Sequence, residues 1–506
     1  MTFDLQTIAI FFVGTLIYSA LLPKNWRGWA LMIGSVIAVY WLQSPIFVGK
    51  LDFILPTMTI IITVSLWWFT RIPAERPKTD ENVWGDAVQR ADTSIRPYRR
   101  WFNEDIIAFI IITTLVIGMS MMRYIEKAYR ITPSKPPESF TVIQMLLVVG
   151  VVIYAIWWIL QRFERNRTLS GLMLLVVVIF AVMKTEMLAI ELSRLFRSFT
   201  AYDTDLANSS DLNWLGFSYV AFRLIHVLRD SQTGKLPALT LHEFMTYVIF
   251  FPSFVSGPID RAERFVKDFR ALPEKTGLDA PRYTEGTTRI MIGIFKKFVI
   301  ADSLSMGMAL NATNADQATS TVGLWLLLYG YALRLFFDFS GYSDIAIGIG
   351  ILLGIKLPEN FDRPYTKNNI TVFWQSWHMT LSNWAKFYVF MPLTRFLLTR
   401  KRKPSQTVIV LSTQMVTMIV IGLWHGVTVN FVLWGVWHGV GLFAHKKWTD
   451  RTRKWYRELT PGRKRAWTVF GWFITLQFVV IGWVWFALPG IEQSLSVFGR
   501  LFGVGW

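Results

Sequence analysis

Long apolar runs recur along this chain, and they constrain its fold more than any other feature. They lie near residues 7–23, 28–43, 52–70, 104–122, 141–160, 170–190, 240–256, 287–310, 320–354, 384–399, 405–422, 428–445 and 467–488. Roughly 17 to 25 apolar residues allow a helix to cross a bilayer. We therefore predict an all-α, polytopic membrane bundle of about 11–14 transmembrane or re-entrant helices.

Composition narrows the class of protein further. Hydrophobic residues make up 53% of the 506 residues and charged residues only 17%, which excludes a disordered chain and an ordinary soluble enzyme. Lys and Arg outnumber Asp and Glu by 52 to 34. In a hydrophobic chain this excess is typical of cytoplasmic loops beside anionic membrane lipids, and it does not indicate nucleic-acid binding. The absence of Cys excludes disulfides, thiolate metal sites and a cysteine nucleophile.

The chain divides into two parts by the character of its spans. Residues 1–200 predict simple transmembrane helices with a polar loop at 71–101. The first run lacks a basic segment before it and a cleavage site after it, so we expect a retained helix. Residues 201–506 carry His, Arg, Asp and Asn inside their apolar stretches, and polar groups at membrane depth normally face a cavity. We therefore expect the functional site in the second part.

A basic segment at 445–465 predicts which loops lie on the cytoplasmic side of the membrane. It contains nine Lys and Arg residues against Asp450 and Glu458, so the positive-inside rule makes this loop cytoplasmic. The basic cluster at 400–403 lies two spans earlier and is expected on the same side. The hairpin between them then carries its tip, GLWHGVTVN, into or across the membrane. These clusters serve topology and lipid contact, or they bind an acidic partner.

The chain has only six histidines, so each can be considered separately as a candidate site residue. His425 lies beside Trp424 and glycine, and His378 lies between tryptophans in FWQSWHMTLSNW. Desolvation keeps an imidazole neutral near pH 7, so either residue can act as a general base, or else each only hydrogen-bonds a neighbouring helix. No carboxylate stands three or four residues from either, which argues against a metal site. His438 and His445 are expected to be packing residues.

Two aspartates interrupt the apolar run at 320–354. Asp338 follows Arg334 by four residues, and Asp344 lies further along the same helix. An Arg–Asp pair at this spacing is either structural or positions substrate or water. The glycines of the run favour tight helix packing over phosphate binding, because no P-loop sequence follows them.

Three ordered motifs carry a resemblance to a known family. They are FDFSGYSDIAIGIGILLGIKLPENFDRPY (337–365), FWQSWHMTLSNW (373–384) and GLWHGVTVNFVLWGVWHG (422–439). Together, these motifs resemble the membrane-bound O-acyltransferase family. They are most similar to its bacterial branch of alginate O-acetylases and teichoic acid D-alanyltransferases. Two further segments support the resemblance, LGFSYVAFRLIHVLRD (215–230) and FFPSFVSGPIDRAERF (250–265). The resemblance therefore covers roughly residues 212–445. Many members have Arg-Asp after the second motif, whereas Lys386-Phe387 stands here.

The resemblance implies a site and a reaction. It implies a helical bundle around a central tunnel, with His425 as the essential catalytic residue and His378 as the second family histidine. His425 would deprotonate an acceptor hydroxyl as it attacks a thioester carbonyl, and His378 would orient the acceptor or stabilise the oxyanion. A covalent intermediate on Ser382 or Ser340 is an alternative. The remaining residues predicted to bind substrate are Asp338, Ser340, Trp377, Ser382 and Trp424.

The implied function is transfer of an acyl group, most simply acetyl, to an exported cell-surface polysaccharide. The donor is acetyl-CoA or an acyl carrier protein, used as a cosubstrate, with no bound cofactor or metal. We expect a multi-pass protein of the bacterial inner membrane with periplasmic or extracellular acyltransferase partners. One alternative is D-alanyl transfer toward teichoic acid from an acidic carrier protein. Another is a transporter or flippase whose histidines relay protons.

Overall fold

In a computed structural model of the chain, residues 4–46, 48–71, 98–274 and 279–505 are described. All regular elements within these residues are helices. Residues 72–97 of the predicted polar loop lie outside the described residues. The described chain forms two compact units, one comprising Met1–Ser256, Asp260–Asp279 and Leu352–Lys356, and the other Gly257–Ile259, Ala280–Ile351 and Leu357–Trp506.

The described residues of the first unit form ten α-helices. In chain order they are α1 (Leu5–Leu21), α2 (Arg27–Trp41), α3 (Leu51–Thr70), α4 (Tyr98–Met121), α5 (Ser139–Leu160), α6 (Arg165–Lys184), α7 (Glu186–Phe199), α8 (Phe217–Gln232), α9 (Leu241–Ile249) and α10 (Ala262–Arg270). Eight of the nine residues of α9 are buried, and α5 buries only Val142. An apolar helix that buries so little inside the protein is typical of one that faces lipid.

The described residues of the second unit contain two π-helical segments and the three motifs except for Leu352–Lys356. Its helices are α11 (Ala280–Ile294), continued by the π-helix Phe295–Ala301, α12 (Asp302–Ser305), α13 (Ala312–Gln317), α14 (Thr321–Leu353, whose last two residues belong to the first unit), α15 (Ile370–Trp374), α16 (Met379–Ala385), the π-helix Lys386–Phe390, α17 (Met391–Leu398), α18 (Gln406–His425), α19 (Val429–Glu458), α20 (Pro461–Ala487) and α21 (Ile491–Leu501).

Seven helices in the described ranges are long and apolar enough to cross a membrane. They are Leu51–Thr70, Asn103–Tyr124, Ser139–Leu160, Arg165–Lys184, Thr321–Leu353, Gln406–His425 and Pro461–Ala487. The protein is therefore a polytopic helical membrane protein, as predicted. The described residues hold fewer long spans than the 11–14 transmembrane or re-entrant segments expected, because three predicted runs are not single helices and α1 and α2 are only 17 and 15 residues long.

Three of the predicted runs show the reason. The run at 240–256 begins with a capping box between Thr240 and Glu243, but its helix ends after nine residues. The runs at 287–310 and 384–399 are each interrupted by a π-helical segment. Apolar composition predicts burial, yet it does not report where the hydrogen-bonding pattern of a helix changes.

Glycines determine how two pairs of helices pack in the second unit. A Cβ atom at Gly422 of α18 would lie 2.2 Å from the carbonyl oxygen of Phe431 on α19, and one at Gly435 would lie 2.7 Å from backbone atoms of α18. On α14, Gly341 and Gly348 meet the backbone of α11 at similarly short distances. Such contacts require the absence of a side chain, so the expectation that glycines of the 320–354 run permit close helix packing is confirmed at Gly341 and Gly348.

Candidate active site

His378 lies at the turn between α15 and α16. Asn369 caps α15 by accepting a hydrogen bond from the backbone N–H of Val372, and α15 ends five residues later at Trp374. The chain then turns, and His378 precedes α16 with φ of 42°. This left-handed conformation costs a residue other than glycine about 1–3 kcal/mol, and it persists only where the surroundings impose it.

Asn360 supplies much of that constraint. Its side chain is fully buried and accepts a hydrogen bond from the Thr380 hydroxyl at 2.6 Å while it donates one to the Ser343 hydroxyl at 3.1 Å. Its backbone carbonyl accepts from the N–H of Met379 at 2.9 Å. Asn360 thereby ties both residues that follow His378 to the loop after α14. Asn360 was not predicted as a site residue, because no spacing within the first motif distinguishes it.

The His378 side chain is enclosed by aromatic rings. It is 2% exposed, and its ring centroid lies 4.6 Å from that of Phe339 and 5.9 Å from that of Trp424. Among the described residues, neither ring nitrogen has a hydrogen-bond partner. His378 lies outside the seven long apolar helices, and burial lowers its pKa to about 3. A neutral imidazole with one N–H and one lone pair is therefore available here.

His425 is the last residue of α18, at the tip of the α18–α19 hairpin. It is half-buried, whereas Trp424 is buried. Its ring centroid lies 4.5 Å from that of Trp424, 4.8 Å from that of Phe486 and 5.7 Å from that of Trp434. The hairpin closes tightly here because a Cβ at Gly426 would meet the Phe431 ring at 2.6 Å. The glycines around the W-H-G motif thus orient this histidine.

Trp424 contacts both candidate histidines, so the structure brings His378, Trp424 and His425 together. Ser340 is next to Phe339 on α14 and is buried, and its hydroxyl has no hydrogen-bond partner in the described part of the chain. An unpaired buried hydroxyl beside the histidine-contacting ring is suited to a substrate contact.

Trp377 and Ser382 have contacts within their own segment. The Ser382 hydroxyl donates to the carbonyl of Trp377 at 3.2 Å. The Trp377 ring is buried against Phe361, Phe373 and Trp483, with centroids 5.1 to 5.6 Å away. These contacts make Trp377 part of the packing under the His378 turn.

Asp338 forms an ion pair with a residue outside the three motifs. Asp338 pairs with Lys297 of the first π-helical segment at 2.9 Å, rather than with Arg334 as the sequence suggested. Asp344 pairs with Arg289 and Lys296, each at 2.6 Å. Both aspartates therefore lie in a charged seam with α11 and its π-helical extension, and this supports a structural role for them.

The remaining motif histidine is a packing residue. His438 is fully buried on α19, and its Nδ1 accepts a hydrogen bond from Trp374 Nε1 at 3.3 Å. His445 is more exposed and lies 3.0 Å from the Thr371 hydroxyl through Nδ1. Both link α19 to α15, in agreement with the sequence analysis.

A buried polar cluster in the first unit was not predicted. It joins the two supporting segments of the resemblance: Arg223 donates to the carbonyl of Val248 at 2.8 Å and to the Ser253 hydroxyl at 2.7 Å. His226 lies 2.9 Å from Asp230 and 3.0 Å from the Tyr247 hydroxyl. Polar residues at positions 223, 226 and 230 share one face of α8, and that spacing was the available signal.

Comparison with known proteins identifies the family. Residues 137–484 match the model of the membrane-bound O-acyltransferase family, so the match begins well before residue 212, where the motif resemblance started. A teichoic acid D-alanyltransferase of Bacillus subtilis is 28% identical over 77% of this chain and 98% of its own length. The corresponding protein of Streptococcus thermophilus is 35% identical over 54% of this chain and 68% of its own.

A second kind of relative is similar over a shorter part. A probable alginate O-acetylase of Pseudomonas syringae is 34% identical over 58% of this chain, and the matched part spans about half (52%) of that relative. The family model covers more than half of the chain and includes both candidate histidines. This protein is an acyltransferase that belongs to the membrane-bound O-acyltransferase family.

Proposed function

We propose that the protein transfers an acetyl group from a cytoplasmic thioester donor to hydroxyls of an exported cell-surface polysaccharide, in the bacterial inner membrane. The observation behind the proposed mechanism is that His378 and His425 contact the same buried indole, that of Trp424. Two imidazoles that contact one indole can serve one reacting centre, one as base and the other as hydrogen-bond donor.

The exposures of the two residues favour different roles. His425 is half-buried, so an acceptor hydroxyl can reach it and lose its proton to the imidazole. His378 is buried and neutral, and its single N–H suits stabilisation of the oxyanion or orientation of the acceptor. The unpaired Ser340 hydroxyl is a further candidate for contact with the substrate. Direct transfer requires no residue to be acylated.

The donor is proposed to be acetyl-CoA or an acyl carrier protein, without a bound cofactor. The second half of α19 and the start of α20 present nine Lys and Arg residues between 445 and 465, and all nine are half-buried or exposed. Both donors are acidic molecules, so this basic hairpin suits their approach from the cytoplasmic side. Periplasmic or extracellular acyltransferase proteins would then be partners in polymer modification.

D-Alanyl transfer toward teichoic acid is the second candidate. It is favoured by the coverage of the relatives, since the match to the Bacillus subtilis D-alanyltransferase spans nearly that whole protein. In that case the donor is an acidic carrier protein charged with D-alanine. The same two histidines would act on a different acyl group.

The test is the ester-linked acyl content of cell-surface polymer, released by mild alkali and identified by mass. A deletion strain is complemented with wild type, His425→Ala, His378→Ala or His445→Ala at equal membrane levels. We expect wild type and the control His445→Ala to restore the ester, His425→Ala to restore none, and His378→Ala to restore less than a tenth. Released acetate supports the first candidate and released D-alanine the second. Full restoration by His425→Ala would refute the proposed base.

A further inference from the structure

Four aromatic rings of the second unit contact the His425 side chain. Trp424 and Trp434 are buried, whereas Phe431 and Phe486 are half-buried, like the histidine itself. The Phe486 centroid lies 4.8 Å from that of the imidazole, with the two rings at 72° to each other, and the Phe431 centroid lies 6.0 Å away. The two phenylalanines therefore border the part of the histidine's surroundings that a substrate can reach.

These two phenylalanines are held in place by different parts of the chain. Phe431 lies in the first turn of α19, and its ring packs on Gly426, where a Cβ atom would lie 2.6 Å from it. Phe486 is the next-to-last residue of α20. Just after it, the carbonyl of Leu488 accepts a hydrogen bond from the side-chain amide of Asn430 at 2.8 Å. The ends of α19 and α20 are thereby joined, which fixes the Phe486 ring beside the imidazole.

The acyl group must lie close to this ring during transfer, if His425 is the base as proposed above. The acceptor oxygen loses its proton from about 3 Å away, and the carbonyl carbon lies about 3–3.5 Å from that oxygen. The carbonyl carbon is therefore within about 6–7 Å of the imidazole. The Phe486 centroid, at 4.8 Å, lies within the same distance. The rest of the acyl group then extends into the space that the two phenylalanines border.

This border is apolar and backed by other rings. Trp434 and Trp483 contact Phe486 with centroids 5.6 and 5.4 Å away, and both indoles are buried, so movement of the ring toward them would displace packed side chains. An apolar wall suits the alkyl part of an acyl group better than a sugar, whose hydroxyls need hydrogen-bond partners. A wall held by packed rings also accommodates an additional methylene group poorly.

We propose that Phe486 limits the length of the acyl group, admitting groups of two or three carbons and excluding longer ones. This inference rests on the proposed function and applies equally to acetyl and D-alanyl transfer, because both groups are short. One methylene group changes the specificity of a hydrophobic site about 10- to 200-fold. A butyryl group has two more carbons than acetyl, so its transfer should be slower by a factor of about ten or more.

The experiment measures acyl transfer in permeabilised cells of the complemented deletion strain. The probes are S-acetyl- and S-butyrylpantetheine with deuterium-labelled acyl groups, because pantetheine forms the thioester end of both coenzyme A and acyl carrier proteins. Labelled acids are released from surface polymer by mild alkali and quantified by mass. We expect wild type to transfer about tenfold less butyryl than acetyl or even less, and Phe486→Ala to transfer the two in similar amounts.

Two further variants separate specificity from folding. Phe486→Leu keeps an apolar side chain at this position and should give a butyryl-to-acetyl ratio between those of wild type and Phe486→Ala. Phe473→Ala removes an exposed ring from the same helix and should leave the ratio unchanged. A variant that only loses folded protein lowers both transfers equally, so the ratio does not depend on the amount of enzyme.

The outcomes distinguish this inference from the proposed function. If wild type transfers acetyl but the ratio is the same in Phe486→Ala and Phe486→Leu, the assignment of Phe486 is wrong while the acyl transfer stands. Equal transfer of the two groups by wild type would also overturn it, as would an equal loss of both in the two Phe486 variants at wild-type membrane levels. If wild type transfers neither group, the proposed function fails, and this inference fails with it.

Discussion

Asn360→Ala is the substitution that most directly tests how the His378 turn is held. The change removes an acceptor for the Thr380 hydroxyl and a donor to the Ser343 hydroxyl, both in a fully buried position. Each buried hydroxyl that loses this hydrogen bond costs about 1–3 kcal/mol, so for the two together we expect a loss of about 2–6 kcal/mol in stability. The thermal unfolding midpoint of the purified protein should fall accordingly.

The same change should reduce acyl transfer beyond its effect on folding. His378 adopts a left-handed conformation that its neighbours impose, and a displacement of about 1 Å at a reacting group costs up to about 100-fold in rate. We expect ester content per folded molecule to fall at least tenfold. The amount of folded protein is measured by size-exclusion chromatography of a fluorescent fusion, and ester content by alkaline release from surface polymer.

Three further variants separate an effect on positioning from an effect on stability. Thr380→Ser retains the hydroxyl that donates to Asn360 and should keep activity. Thr380→Val also removes the acceptor of the Ile259 N–H, so it should lose at least as much stability and activity as Asn360→Ala. Asn383→Ala changes an exposed residue of the same motif and should have no effect. If Asn360→Ala lowers the unfolding midpoint but leaves ester content per folded molecule within twofold, then Asn360 stabilises the fold and does not position His378.

Three further substitutions test other parts of the structure. Gly422→Val should lower the unfolding midpoint sharply because its Cβ meets a carbonyl oxygen of α19, whereas Gly462→Val, with open space around it, should not; equal shifts would contradict this. Burial alone would raise the pKa of Glu243, but its hydrogen bonds and charge pairing with Arg270 outweigh this and hold that pKa below its usual value of 4.5. The pair's stabilisation is therefore present above pH 4.5 and lost as pH falls through the folded pKa. Unfolding midpoints between pH 6 and 3 should fall more for wild type than for Glu243→Gln, and parallel curves would refute the assignment. Asp338→Asn should cost about 1 kcal/mol, since its ion pair with lysine is part-exposed, with ester content per folded molecule unchanged; a tenfold loss of ester would instead support substrate binding.

The sequence predicted the parts of the fold that depend on apolar length. Helices such as α3, α5 and α18 agree with their predicted runs within a few residues, because a long apolar stretch in lipid must satisfy its backbone internally. The nine-residue α9 and the two π-helical segments were not predicted. Their ends depend on capping and on tertiary contacts, which the hydropathy of a run does not report.

Only the part of the candidate site that depends on local sequence could be predicted. The W-H-G motif identified His425, and the glycines around it explain the tight hairpin on which it lies. The contact of both histidines with Trp424 depends on the turn before α16, which is stabilised by Asn360 from another segment. A polar loop residue stabilises a turn only if the fold brings a hydrogen-bonding group from a distant segment to it. The spacing of residues in a single sequence does not contain that information.

Asp338 and Ser340 show that two residues of one motif need not share a function, and helical geometry explains why. Both lie in the first motif and were predicted to bind substrate together, yet residues two apart on a helix point about 200° apart. Asp338 shares its face with Gly341, which packs on α11, and with the charged seam there. Ser340 adjoins the face of Phe339, the ring that contacts His378. The first motif therefore has two functions. One face of α14 packs on α11, and the other face supplies the aromatic wall of the candidate site. Substitutions on the first face should mainly change stability, and those on the second should change transfer.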